Sequence, residues 1–241
     1  MKRVNTLKRV SSAHFLHRWL MLLLVLPIGI WSVTGSYFVL MDLGFIRGDH
    51  IKVQDSQHID PSQIHYPMAA VYERFPKAQA ITLTSVTDTL YYRIKLSDKS
   101  ILVNADSGEL LPSITEKQAR MIASNYQHHG SLAVEAKLVS ATLLTDITSA
   151  ELAPRYLPVW RMDFNDSAAT SLYLSATTGE LVTRRHDYWR LFDLFWKWHI
   201  MDYDEGEAID NLLLLSTALI SIVAVLAGFI LLWQRRRRYL R

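Results

Sequence analysis

No cysteine occurs among the 241 residues. That absence removes disulfides, thiolate metal sites, iron–sulfur clusters, covalently attached c-type haem and cysteine nucleophiles. Charge is missing from two long stretches, Trp19 to Met41 and Leu212 to Trp233. Each reaches the roughly 20 residues needed to cross a hydrocarbon core about 30 Å thick. The chain also has no phosphate-binding glycine loop, no His-Glu-x-x-His and no Gly-x-Ser-x-Gly. Acids are plentiful, but no pair stands out, so hydrolase and nucleotide chemistry have little support.

What is present is distributed unevenly. Lys2, Arg3, Lys8, Arg9 and Arg18 precede the first apolar run, and Arg235, Arg236, Arg237, Arg238 and Arg241 follow the second. All 23 acidic residues lie between them, with 16 of the 26 basic ones, which leaves the middle near −7 in formal charge. Lys and Arg next to a span stay on the cytoplasmic side. The expected order is therefore a basic cytoplasmic N-terminus (1–18), a span (19–41), a domain outside the cytoplasm (42–186), a second span (211–233) and a basic cytoplasmic tail (234–241). The first run is too long for a secretory signal and lacks a small-x-small cleavage site, so it reads as a retained anchor. The Arg235–Arg238 cluster reads as a headgroup anchor rather than a nucleic-acid contact.

The middle reads as two copies of one α+β unit, about 61–111 and 115–183. Each opens helically, at Met68 to Phe75 and at Ala119 to Tyr126. Strand-like stretches follow at 80–85, 90–96 and 100–104 in the first copy, and at 134–145, 156–164 and 171–175 in the second. Period-two alternation supports the strands, as in Tyr91, Arg93, Lys95 against Tyr92, Ile94, Leu96. Tyr92-Arg93-Ile94 matches Trp160-Arg161-Met162, and Gly108-Glu109-Leu110 recurs as Gly179-Glu180-Leu181. Arg93 and Arg161 hold equivalent strand positions. They either bind a ligand carboxylate or lie on a solvated strand face, and exposed Arg is the norm.

From Asp187 to Ile200 the charges fall on one helical face and Trp and Phe crowd the other, the pattern of a helix lying in a membrane interface. Trp196 and Trp198 there, with Trp19 and Trp233 at the edges of the apolar runs, are the expected interfacial anchors. The acidic run Asp202, Asp204, Glu205, Glu207, Asp210 then keeps the connection in water.

His17-Arg18-Trp19-Leu20, Val33-Thr34-Gly35, Leu157 to Arg161, the Thr-Gly-Glu turn at Gly179 and His199 after an aromatic stretch follow one another in an order that resembles the PepSY-associated transmembrane helix family over nearly the whole chain. The resemblance implies PepSY domains outside a bacterial cytoplasmic membrane, here periplasmic. Larger relatives with four spans include haem-b-containing reductases of ferric-siderophore uptake; two spans make this chain a minimal version. It implies haem b held by axial histidines, with His17, His199 and His14 as candidates.

Of nine histidines, adjacent His128 and His129 diverge and make a poor metal pair. His14 and His17 share one helix face and cannot ligate opposite sides of one haem. From His17 to the end of the span is roughly 36 Å of helix at 1.5 Å per residue, so His17 and His199 cannot share one either. Two readings remain. A homodimer, or a larger membrane redox complex, pairs His17 residues inside and His199 residues outside; otherwise both are interfacial residues satisfied by water, headgroups or backbone. The small residues Gly29, Ser32, Thr34, Gly35 and Ser36 allow close helix approach in a dimer or within the chain. A topology reporter fused near residue 120 is expected outside the cytoplasm, and a cytoplasmic signal would overturn this reading.

Overall fold

The computed structural model describes residues 2–53, 59–128, 136–146, 151–204, 206 and 208–239. His58, His129, Gly130, Val134, Glu205, Glu207 and Arg241 lie outside them. The chain divides into two compact units, one of Met1–Asp42 with Leu191–Arg241 and one of Leu43–Arg190.

Helix α1 spans Lys2–Leu40 and is followed by a short α2, Leu43–Arg47. α1 begins far ahead of Trp19, because basic residues are good helix formers and the loss of charge marks a change of solvent rather than a helix end. Next come β1 (Ile51–Val53), α3 (Met68–Arg74), β2 (Ala80–Val86), β3 (Thr89–Lys95), β4 (Ser100–Asn104) and β5 (Leu110–Leu111). The second half holds α4 (Glu116–Ser124), β6 (Tyr126–His128), β7 (Leu138–Leu144), β8 (Val159–Phe164), β9 (Ser171–Ser175) and β10 (Leu181–Arg185). The chain closes with α5 (Asp187–Ile200) and α6 (Leu212–Tyr239).

β2-β3-β4-β5 and β7-β8-β9-β10 are two antiparallel four-stranded meanders, and β1 pairs with β6 in a third small sheet. Each expected unit thus carries a fourth strand beyond the Gly-Glu-Leu turn. The duplication extends to individual hydrogen bonds. Gly108 N–H donates to Asn104 O (2.9 Å) and Gly179 N–H to Ser175 O (2.8 Å). The Asn104 side chain accepts from Asp106 and Ser107 N–H, and Ser175 Oγ accepts from Thr177 and Thr178 N–H. The aromatic residue of the second strand anchors the carbonyl just before each helix entry: Tyr92 OH donates to Tyr66 O (2.8 Å), Trp160 Nε1–H to Ile114 O (2.9 Å). α4 starts on a capping box, in which Thr115 Oγ1 accepts from Gln118 N–H and the Gln118 side chain accepts from Thr115 N–H.

Period-two alternation divides β3 between two cores. Leu90, Tyr92 and Ile94 pack with Val71 of α3, Val103 and Ala105. Tyr91 faces the other way, joining Val86 and Leu102 to Met162, Leu172 and Leu174 of the second sheet and Ala119 and Ala123 of α4. The two copies therefore share one core, and the first copy keeps another of its own.

His186, which the sequence did not single out, is wholly buried in this unit. Its Nε2–H donates to Phe45 O (3.0 Å) and its Nδ1 accepts from Trp189 N–H (3.3 Å), a pattern open only to neutral imidazole. Burial holds its pKa below the ordinary value, against the raising effects of the Phe45 carbonyl, Asp166 and Asp187, and Arg190 adds to the lowering.

In the other unit α1 and α6 run antiparallel, since His17 of α1 meets Ala224 and Gly228 toward the end of α6. Stretches Ala13–Leu40 and Leu212–Arg237 are long and apolar enough to cross a membrane. Leu26 (69%), Val39 (86%) and Phe229 (64%) remain exposed along them.

Gly179 sits at φ +71°, where a Cβ would lie 2.8 Å from Ile122 Cδ1; Gly108 sits at φ +74°, 2.5 Å from the Tyr66 ring. Gly179→Ala and Gly108→Ala should each cost at least about 1–2 kcal/mol in denaturant unfolding of the full chain. Gly29→Ala, where a Cβ meets open space, should cost nothing. Because the folded His186 pKa is lowered, the unfolded state takes up its proton first, so the stability it contributes is present above about pH 6.5 and falls as pH drops below that value. His186→Gln should therefore flatten part of the loss of thermal midpoint between about pH 7 and 5.

Candidate functional site

α5 docks on α1 through rings. Phe192 packs on Phe38 at 4.8 Å between centroids and Phe195 on Tyr37 at 5.0 Å, while Leu194 and Trp198 stay exposed. The aromatic side of α5 is thus divided between a protein contact and an open face. At its end, Trp31 Nε1–H donates to His199 O (2.8 Å). Thr34 Oγ1 lies 2.7 Å from Ile30 O and 2.8 Å from His199 Nδ1; with its one proton on Ile30 O, the His199 contact takes Nδ1–H as donor. Gly35 leaves room beside this ring, a Cβ there lying 3.8 Å from His199 Cε1. Burial lowers the His199 pKa, which favours the neutral ring.

His17 repeats the arrangement at the other end of the helix pair. Its Nδ1–H donates to Ala224 O (2.9 Å), because a carbonyl can only accept. A Cβ on Gly228 would sit 3.1 Å from His17 Cε1, so the ring lies directly on α6. Neither Nε2 has a hydrogen-bond partner among the described residues. His17 and Thr34, the partner of His199, are seventeen residues apart on α1, about 25 Å along the axis. His14 is exposed and joins neither site.

Close approach of α1 and α6 comes from Ala224, Ala227 and Gly228 of α6, not from the small-residue stretch of α1. Thr34 and Gly35 of that stretch face His199, and Gly29 faces open space. Trp19 and Trp233 are exposed, and Trp196 binds Gly206 O (3.2 Å).

The donor set suits an iron porphyrin. Each imidazole is held through Nδ1 and leaves Nε2 unengaged, the arrangement in which a second partner orients a metal-binding histidine. Glycine lies against each ring. One chain offers one such nitrogen at each end, and among the described residues no group of three His, Asp or Glu side chains gathers into a metal cluster.

Arg93 and Arg161 each hold a carboxylate of the chain itself. Arg93 Nη1 lies 2.6 Å from Glu180 Oε1, and Arg161 Nε 2.8 Å from Asp163 Oδ1. Burial pushes the Asp163 pKa up, but hydrogen bonds from Ser171, Ser140 and Arg161 outweigh it and hold the carboxyl below its ordinary value. Beside it, Glu151 accepts from Arg190 (2.8 Å) and Tyr173 OH (2.6 Å), which outweigh burial in the same way. Asp163 lies on β8 two residues from Arg161, whereas Glu180 and Glu151 meet Arg93 and Arg190 from distant parts of the chain that only folding brings together. Thr34 was visible as a hydroxyl within an uncharged run; its role depends on α5 docking. The chain matches no family model, no curated protein and no solved structure.

Proposed function

We propose that this chain is a minimal, two-span PepSY-type protein of the bacterial cytoplasmic membrane that binds haem b and takes part in electron transfer to an extracytoplasmic acceptor, with ferric siderophores as the acceptor class. Both termini lie in the cytoplasm and the duplicated domain lies outside. The observation that carries the reading is the pair of histidines, His17 and His199, each held through Nδ1 and each with Nε2 unengaged. Haem b supplies one-electron chemistry. His17 and His199 would hold the haem iron, Ala224 O and Thr34 Oγ1 orient their rings, and Gly228 and Gly35 make room for the rings themselves. Where each haem took two histidines, the second would have to come from another copy of the chain, since one chain offers one imidazole at each level. The separation of about 25 Å keeps the two levels at opposite ends of the spans.

A cofactor-free reading, in which the helices only tether a partner-binding domain, draws on the seating of His17 against Gly228 as a helix–helix staple. The absorption spectrum separates the two. Protein purified from haem-supplemented cells should show a b-type Soret band, and His17→Ala and His199→Ala should each lose a large part of it. His14→Ala should retain it. A colourless wild-type preparation would remove the haem reading.

A further inference from the structure

The junction of the two copies holds a cleft of about 350 Å³, within the size range of ligand pockets. One wall is the end of β2, Thr84 to Val86; the other is the turn into β10, Thr178 to Leu181. β2 and β10 are each the outermost strand of a four-stranded sheet. The cleft therefore runs between two sheet edges.

The backbone of β2 is half used. Thr87 and Asp88 both have positive φ (49° and 65°), which makes the β2–β3 connection a two-residue type I′ hairpin. Val86 and Thr89 are then a hydrogen-bonded pair, and the register Thr84↔Tyr91 and Thr82↔Arg93 carries that pattern along the strand. The N–H and C=O groups of Leu83 and Ser85 consequently point away from β3, and no backbone partner meets them among the described residues. Free strand edges of this kind pair with another extended chain.

The polar groups of the cleft select what that chain carries. Arg93 is neutralised by Glu180 at 2.6 Å and bonds Thr84 Oγ1 at 3.1 Å, while its Nε–H is buried with no acceptor among the described residues. A ligand carboxylate entering the cleft would meet Glu180, which already neutralises Arg93, so an uncharged segment is favoured. Val86, Ile122 and Leu181 give the cleft an apolar lining for alternate side chains.

We propose that this cleft binds an uncharged peptide segment in extended conformation, added as a strand on the Leu83–Ser85 edge of β2. The inference is independent of haem binding. The test is titration of the full-length protein in detergent micelles with the blocked pentapeptide acetyl-Val-Thr-Val-Thr-Val-amide and with the same peptide N-methylated at alternate residues. The unmethylated peptide should bind with a dissociation constant below about 1 mM, and N-methylation should weaken it at least about tenfold. Ser85→Pro removes an edge N–H that β3 does not use, and it should weaken the unmethylated peptide comparably. Should that variant not fold, the two peptides on the wild-type protein decide the matter. No binding of the unmethylated peptide, or equal binding of both, overturns the proposal.

Discussion

An imidazole has two nitrogens, and when one of them holds the ring to the protein only the other remains for a ligand. At His17 and His199 the nitrogen that holds the ring is Nδ1, and its partners are a helix carbonyl and a threonine hydroxyl that also meets a helix carbonyl. The carbonyl at His17 leaves no choice of tautomer, and at His199 the tautomer follows where the Thr34 hydroxyl proton sits. The rest of the helical unit is arranged around these contacts. Ala224, Ala227 and Gly228 let α6 come close enough to meet His17. Phe192 and Phe195 bring α5 onto α1 so that His199 reaches Thr34. An apolar helix pair has few polar groups, so each one that is buried needs a specific partner.

The duplicated unit follows the same economy of polar groups by other means. Its sheets turn one face to apolar cores and cover polar positions with internal ion pairs. Arg93–Glu180 joins the two copies, and Arg161–Asp163 lies on the opposite face of the second sheet from Met162 and Leu172. Surface pairs of this kind contribute little stability, but partly buried ones fix register and exclude the wrong partner. The edge of β2 leaves backbone groups unused beside the cleft, so the cleft offers a strand partner what the paired arginines do not.

Much of this was legible in the sequence, because periodicity and turn chemistry are local. β4 and β9 fall on the expected residues and the helix at Met68 lies where apolar spacing put it, while α4 covers Ala119, Ile122 and Ala123 but ends before Tyr126, which pairs with Val53 in β6 instead. The repeat was visible in Gly108 and Gly179, whose positive φ no side-chain-bearing residue replaces cheaply. What escaped depends on pairing at a distance. β5 is only Leu110–Leu111, too short to show alternation, and β10 is a half-exposed edge strand. Burial of His186 depends on Phe45, 141 residues away, and the orientation of His17 on Ala224, 207 residues away. His17 and His199 were singled out by their places at the ends of the apolar runs; the contacts that fix their tautomers emerge only once α1, α5 and α6 are packed.

Nitrogen-15 NMR of the histidine rings in haem-free, full-length protein at neutral pH reads that tautomer directly. The account predicts that His17 and His199 both carry the proton on Nδ1, with Nε2 shifted as an unprotonated nitrogen, and that Thr34→Val changes His199 alone. A proton on Nε2 at either ring, or a mixture of tautomers like that of free histidine, would contradict it.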